Sequence, residues 1–240
     1  MNASRHVRMN RGLLAAAEKR VLVWMARQLP AWVNSDHLTA LALLSMAGTG
    51  AAFWAGAHHR PALVLVIVCL TLNWFGDSLD GTLARVRGHE RPRFGYYVDH
   101  VLDIAGISLL LVGLALSGFM SPLLAMALLA SYLLVSAEVF LATGVGGEFR
   151  MSFLRMGPTE LRVVLAAGAL ALMRSPSVSP FGLGAVRLFD LGAVVAILGL
   201  LLAFVVSSAR MTRALYRAEP LPCSGGNAAR RVTAPATEPV

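Results

Sequence analysis

Residues 77–103 read DSLDGTLARVRGHERPRFGYYVDHVLD. Two acidic pairs bracket this stretch, Asp77 with Asp80 and Asp99 with Asp103, inside segments that are otherwise apolar. Spacings of three and four residues put each pair on one face of its own helix. Small residues share those faces: Gly81 is four past Asp77, Ala84 four past Asp80, and Gly95 four before Asp99. With no side chain beyond the backbone, Gly81 and Gly95 let a partner helix or a bulky ligand approach closely.

Outward from this stretch the chain is strongly apolar. Its 240 residues are 57% hydrophobic and 14% charged, with a mean hydropathy of +0.66. That excludes an ordinary soluble domain and predicts an all-α polytopic membrane protein. Six apolar spans, each near the roughly 20 residues a bilayer requires, are expected at 37–57, 62–85, 95–118, 122–143, 158–174 and 187–209. The fifth is the weakest, being short and carrying Glu160 and Arg162 near its start. Before them, residues 11–29 carry an apolar stripe of Leu14, Ala17, Val21 and Trp24 among charged residues, the pattern of an amphipathic helix lying on the membrane surface. Pro30 ends that helix, and Asn34, Ser35 and Asp36 supply capping side chains for the next. The expected organisation is a cytoplasmic N-terminal segment over 1–34, a six-helix transmembrane catalytic domain over 35–217, and a disordered Pro/Ala/Gly-rich cytoplasmic tail over 218–240.

Loop charges set the orientation. All but three of the 21 basic residues, Arg60, Arg174 and Arg187, precede the first span, follow the last, or fall in the 2–3 and 4–5 connections. By the positive-inside rule both termini and the acidic stretch face the cytoplasm, as in a protein of the cell inner (cytoplasmic) membrane. The net charge of +8 then reflects loops facing anionic lipid, and no nucleic-acid partner is expected. Cys69 and Cys223 form no disulfide or zinc pattern, and Cys69 reads as a packing residue.

Depth decides how to read the acids. With the membrane edge near Arg85 and Gly95, Asp80 and Asp99 lie about 6–8 Å in, and Asp77 and Asp103 about 12 Å in, at about 1.5 Å rise per residue. The two helices are expected to be antiparallel neighbours, so that the four carboxylates meet at two levels. Left unpaired they would cost up to about 10–14 kcal/mol, on a scale of about 2.5–3.5 kcal/mol for one acid at mid-bilayer. Oxygen-only donors with no cysteine favour a hard cation such as Mg2+ or Mn2+. The same acids could line the path of a cation transporter, which predicts metal flux without turnover.

The run Asp-x-x-Asp-Gly-x-x-Ala-Arg, then Gly-x-x-x-Asp-x-x-x-Asp, resembles the signature of the CDP-alcohol phosphotransferases, integral membrane enzymes of phospholipid head-group synthesis. The match is carried by Asp77, Asp80, Gly81, Ala84, Arg85, Gly95, Asp99 and Asp103. Nine residues, Val86 to Phe94, separate Arg85 from Gly95, one more than the family usually has, in a basic loop that tolerates insertion. The resemblance implies a metal-dependent transferase that moves a phosphatidyl group from CDP-diacylglycerol to a polar alcohol and releases CMP. Its alternative within the family is CDP-choline- or CDP-ethanolamine-type transfer to a lipid alcohol, of which Asp99-His100 to Asp103 carries some echo.

Position by position, the resemblance makes Asp77, Asp80, Asp99 and Asp103 ligands of two divalent cations, Mg2+ or Mn2+, with Asp103 also the general base. It places the cytidine nucleotide at Asp80, Gly81, Ala84, Arg85 and Gly95, with Arg85 contacting the nucleotide or stabilising the acids. Arg155, Glu160 and Arg162, in RMGPTELR, are candidates for the alcohol acceptor, because they lead into the fifth span. The family also implies a homodimer, and Gly106 with the small residues of span 3 would permit close helix contact. His100 reads as a packing residue or one supporting the ligands, Glu138 equally as a functional or a hydrogen-bonding residue, and Asp190 as interfacial.

Overall fold

The computed structural model describes residues 13–146, 158–178 and 185–219. The N-terminal residues before Leu13, the tail beyond Glu219, Arg150, Arg155 and Cys223 lie outside the described residues, as do the side chains of Leu14, Ala17 and Glu160.

The described residues form seven α-helices: α1 Leu13–Gln28, α2 Ser35–His58, α3 Leu63–Arg87, α4 Pro92–Leu116, α5 Pro122–Gly146, α6 Pro158–Arg174 and α7 Leu188–Ala218. Among the described residues five stretches are long and apolar enough to cross a membrane: Ser35–His58, Arg60–Arg87, Pro92–Leu116, Pro122–Val145 and Leu188–Ala218. Their outward faces are apolar, with Leu44, Leu116, Leu123, Leu141 and Val195 all exposed, as lipid-facing surfaces must be. The expected sixth span forms α6, whose 17 residues rise only about 25 Å against a hydrocarbon core of about 30 Å. The count of six is therefore not reached by helix length.

Local signals explain the helix ends. Asn34 caps α2 by accepting from the His37 N–H at 2.9 Å, while His37 Nδ1 accepts from the Asn34 N–H. Gly88, at φ +67°, stops α3 in the left-handed region, where glycine has no Cβ penalty. Pro92 opens α4 in its first turn, where a missing N–H costs nothing. Both helices thus run further than expected, and the loop between them is reduced to Gly88–Arg91. Asp190, near the start of α7, accepts from the Ser121 N–H at 2.6 Å at the entry to α5. Between α6 and α7 the chain makes a two-stranded antiparallel ladder, β1 Ser177–Val178 against β2 Val186–Arg187, which the sequence reading did not anticipate. Helix α7 also runs nine residues past the expected end of the last span, to Ala218.

Helix α2 is the hub. It packs extensively against both α3 and α4, whereas α3 and α4 touch each other little. The expectation of α3 and α4 as direct neighbours is corrected: α2 wedges between them. The cause is glycine placement. A Cβ on Gly50 of α2 would meet the Leu109 carbonyl oxygen of α4 at 2.5 Å, and one on Gly113 would collide with the Gly50 backbone. A Cβ on Gly76 of α3 would meet the Leu38 carbonyl at 2.6 Å. These are the small residues that bring backbones together in lipid.

Gly106 is spent the same way, against Met46 Cγ at 3.1 Å, so it packs within the chain and is not a free dimer contact. One core, around Phe53, Leu63, Leu110, Leu114 and Leu172, closes the bundle at the end away from the acids, with Phe53 and Phe189 meeting edge-on at 5.4 Å. A second core, Ala26, Leu38, Leu79 and Leu83, docks α1 against α2 and α3. Val21 and Trp24 of the α1 stripe stay exposed, on the face left for a membrane surface.

Candidate active site

The divergence of α3 and α4 opens a gap, and the acids meet across it. Ligand oxygens of Asp77 from α3, and of Asp99 and Asp103 from α4, lie within 4.8 Å of one another. The i, i+4 spacing of Asp99 and Asp103 stacks them on one face of α4, and Asp77 comes to meet them from the facing helix. Three carboxylates this close repel one another unless a cation lies among them. A donor set made only of oxygen suits a hard divalent ion.

Asp80 stands beside this trio and is not part of it. Its Oδ2 accepts from Thr39 Oγ1 of α2 at 2.9 Å, and its backbone carbonyl accepts from Ser35 Oγ at 2.9 Å. Its charge still interacts with those of Asp77 and Asp99, so the four acids form one electrostatic unit with one member turned toward α2. As partners of Asp80, Thr39 and Ser35 were missed from sequence. The signal available for Thr39 was a hydroxyl one turn into α2, while Ser35, read from sequence as a cap, instead serves Asp80.

Arg162 of α6 supplies a cation. Its Nη2 donates to Asp77 Oδ2 at 2.6 Å, and its Nε donates to Asn73 Oδ1 at 2.7 Å. Asn73 in turn donates through Nδ2 to the Ala42 carbonyl of α2 at 2.9 Å. Asn73 is buried and lies one turn before Asp77 on the same face of α3. That i, i+4 relation was the signal that could have found it. Arg162, expected at the acceptor, is thereby joined to the carboxylates.

Arg85, the cation expected near the acids from its motif position, is exposed and donates to Thr82 Oγ1 at 3.2 Å. Arg87 is a strut, donating to the carbonyls of Leu29 at 3.0 Å and Pro30 at 2.9 Å, and to that of Val33. Arg91 pairs with Asp36 and lies over the Phe94 ring at 4.2 Å. His100 is a packing residue: its Nδ1 sits 2.7 Å from the Tyr96 carbonyl, and its ring packs against Tyr96 and Phe140. Glu138 accepts from Ser207 Oγ at 2.8 Å, tying α5 to α7.

The site glycines stand in space. A Cβ on Gly95 would meet nothing within 4 Å, and one on Gly81 would meet only the Arg85 guanidinium, at 3.5 Å. Of the partner helix or bulky ligand expected at them, no helix among the described residues packs there, and the room is left open beside the carboxylates. Next to Ala84 lies a cavity of about 330 Å³ lined by Ser35, Asp36, Leu83, Arg87 and His89 among others.

The family model described as CDP-alcohol phosphatidyltransferase matches residues 32–205. The chain belongs to the CDP-alcohol phosphatidyltransferase family. The match runs from just before α2 into α7 and so includes all four acids. Comparison with curated proteins finds no match. As a CDP-alcohol phosphatidyltransferase the chain is a membrane transferase whose substrates are a CDP-alcohol and an alcohol acceptor, and its Asp77–Asp99–Asp103 cluster is one that could hold a divalent cation.

Proposed function

We propose that this chain transfers the phosphatidyl group of CDP-diacylglycerol to a polar alcohol, with release of CMP, in phospholipid synthesis at the cytoplasmic face of the cell membrane. The observation that carries it is the convergence of three motif carboxylates from two helices on one point, in a chain of this family. Asp77, Asp80, Asp99 and Asp103 would hold two divalent ions, Mg2+ or Mn2+. Bound there, such ions neutralise the diphosphate and stabilise departing CMP.

The acceptor hydroxyl attacks the phosphorus that bears the diacylglycerol. The new phosphorus–oxygen bond forms as the bond to the CMP oxygen breaks, and CMP leaves with that electron pair. Asp103 accepts the hydroxyl proton. Thr39 and Ser35 orient Asp80. The nucleotide lies along Gly81, Ala84, Arg85 and Gly95, where a side chain at either glycine would take its room. Arg155 and Glu160 would serve the acceptor, while Arg162 is engaged by Asp77 and Asn73. The termini lie in the cytoplasm, α1 rests on the membrane surface, and the enzyme is a homodimer through a face other than that of Gly106.

The test is CMP release by the purified chain in nanodiscs, given CDP-diacylglycerol, Mg2+ or Mn2+, and glycerol phosphate, inositol phosphate, inositol, serine or phosphatidylglycerol. Acceptor-dependent release that is lost in Asp103→Asn is expected. Absence of release with every acceptor, while CDP-choline or CDP-ethanolamine is consumed, would overturn the donor assignment.

A further inference from the structure

We propose that Arg162 and Asn73 form a counter-ion latch that holds Asp77 when no metal is bound and competes with metal for it. The inference rests on the reading of Asp77 as a metal ligand. Three observations carry it. The Arg162 guanidinium occupies Asp77 Oδ2 at 2.6 Å, on a carboxylate whose oxygens lie within 4.8 Å of Asp99 and Asp103. The pair is sheltered, with side-chain exposures of 13% for Arg162 and 24% for Asp77, so water and salt screen it little. Arg162 is also aimed by a neutral partner: Asn73 takes its Nε and is itself fixed to the Ala42 carbonyl.

This arrangement has a use that a plain ion pair lacks. A divalent ion entering the cluster must share or displace the guanidinium on Asp77 and also tolerate its positive charge. When Nη2 lets go, the Nε bond to Asn73 keeps the guanidinium at the edge of the cluster. The latch thus spares the metal-free protein an uncompensated acid in the membrane. It also weakens metal binding, so the site loads reversibly. Asn73 and Arg162 are positioning residues in this scheme. They act through Asp77.

The experiment measures Mn2+ binding by electron paramagnetic resonance, and unfolding temperature with chelator or with saturating Mn2+, on the full chain in nanodiscs. Arg162→Met is expected to bind Mn2+ about tenfold more tightly, since a competitor and a like charge are both removed. It should melt earlier than wild type in chelator, with the deficit closing in Mn2+. Asn73→Leu should shift affinity the same way by a smaller factor. Unchanged or weaker Mn2+ binding in Arg162→Met, with wild-type binding intact and lost in Asp77→Asn, overturns the latch and leaves the metal reading standing. No Mn2+ binding by wild type overturns both. Should Arg162→Met not accumulate, Arg162→Gln and Asn73→Leu decide: tighter binding supports the latch and unchanged or weaker binding refutes it.

Discussion

Gly113 and Gly95 sit on one helix, about 27 Å apart at about 1.5 Å per residue, and do opposite things. At Gly113 the α4 backbone lies so close to Gly50 of α2 that no side chain fits; at Gly95 a Cβ would touch nothing. The difference is that between the two ends of the bundle. The closed end is joined backbone to backbone and filled by Phe53, Leu110, Leu114 and Phe189. The open end is held apart by α2 and lined with carboxylates. Lipid offers little hydrophobic drive between helices, so close packing must supply the cohesion. The closed end supplies it, and the open end can then carry charge. One type of residue serves both ends, and only its surroundings tell which role it has.

Substitutions at the two ends should therefore separate activity from stability. The largest effect is expected from Asp99→Asn. CMP release should fall on the order of a thousandfold, matching the several kcal/mol that a divalent ion held by these carboxylates would supply. Its unfolding temperature in chelator should hold or rise, because one of three crowded acids has lost its charge. A melting curve that collapsed with the activity would show the open end to be part of the scaffold.

Gly113→Ala comes next. Overpacking costs about 1–3 kcal/mol in a well-packed core, and here the obstacle is backbone. A thermal melt in nanodiscs should show a clear loss of stability, with activity per folded molecule less affected. Gly95→Ala is the matched control. With open space around it, the change should leave stability level or raise it by up to about 1 kcal/mol, the helix-propensity difference. CMP release should drop through a higher apparent KM for the CDP-alcohol. Equal stability losses in the two alanine variants would erase the contrast. The smallest effect belongs to Thr39→Val. It removes the Thr39 hydrogen bond that orients the Asp80 carboxylate. A decrease of roughly tenfold in CMP release, with little change in the melt, is expected.

Much of this was legible beforehand because it depends on near neighbours in the chain. The start of α2 follows from Asn34, whose effect is local, whereas the ends set by Gly88 and Pro92 were expected two to three residues away, inside the flanking spans. The apolar runs mark the spanning helices by length alone, and α6 was marked as the weak one by its shortness and early charges. The pairing of Asp99 with Asp103 follows from helical periodicity. What escaped depends on which helix lies beside which. Nothing in the spacing of Gly50, Gly76 and Gly113 says that α2 separates α3 from α4, and from that one fact follow the gap, the departure of Asp80 toward Thr39, and the closed end. Arg162 is far from Asp77 in sequence, so its bond awaited the packing of α6 on α3.

The sequence by itself determined that this is a helical membrane protein with four acids on two helix faces, because hydropathy, caps and helical periodicity act over a few residues; its family was carried by the motif residues from Asp77 to Asp103 and the family match. Only the tertiary structure decided that Asp77, Asp99 and Asp103 converge, that Asp80 turns to α2, and that Arg162 and not Arg85 holds the cluster. Those are contacts across helices, set by where backbones without side chains permit close approach.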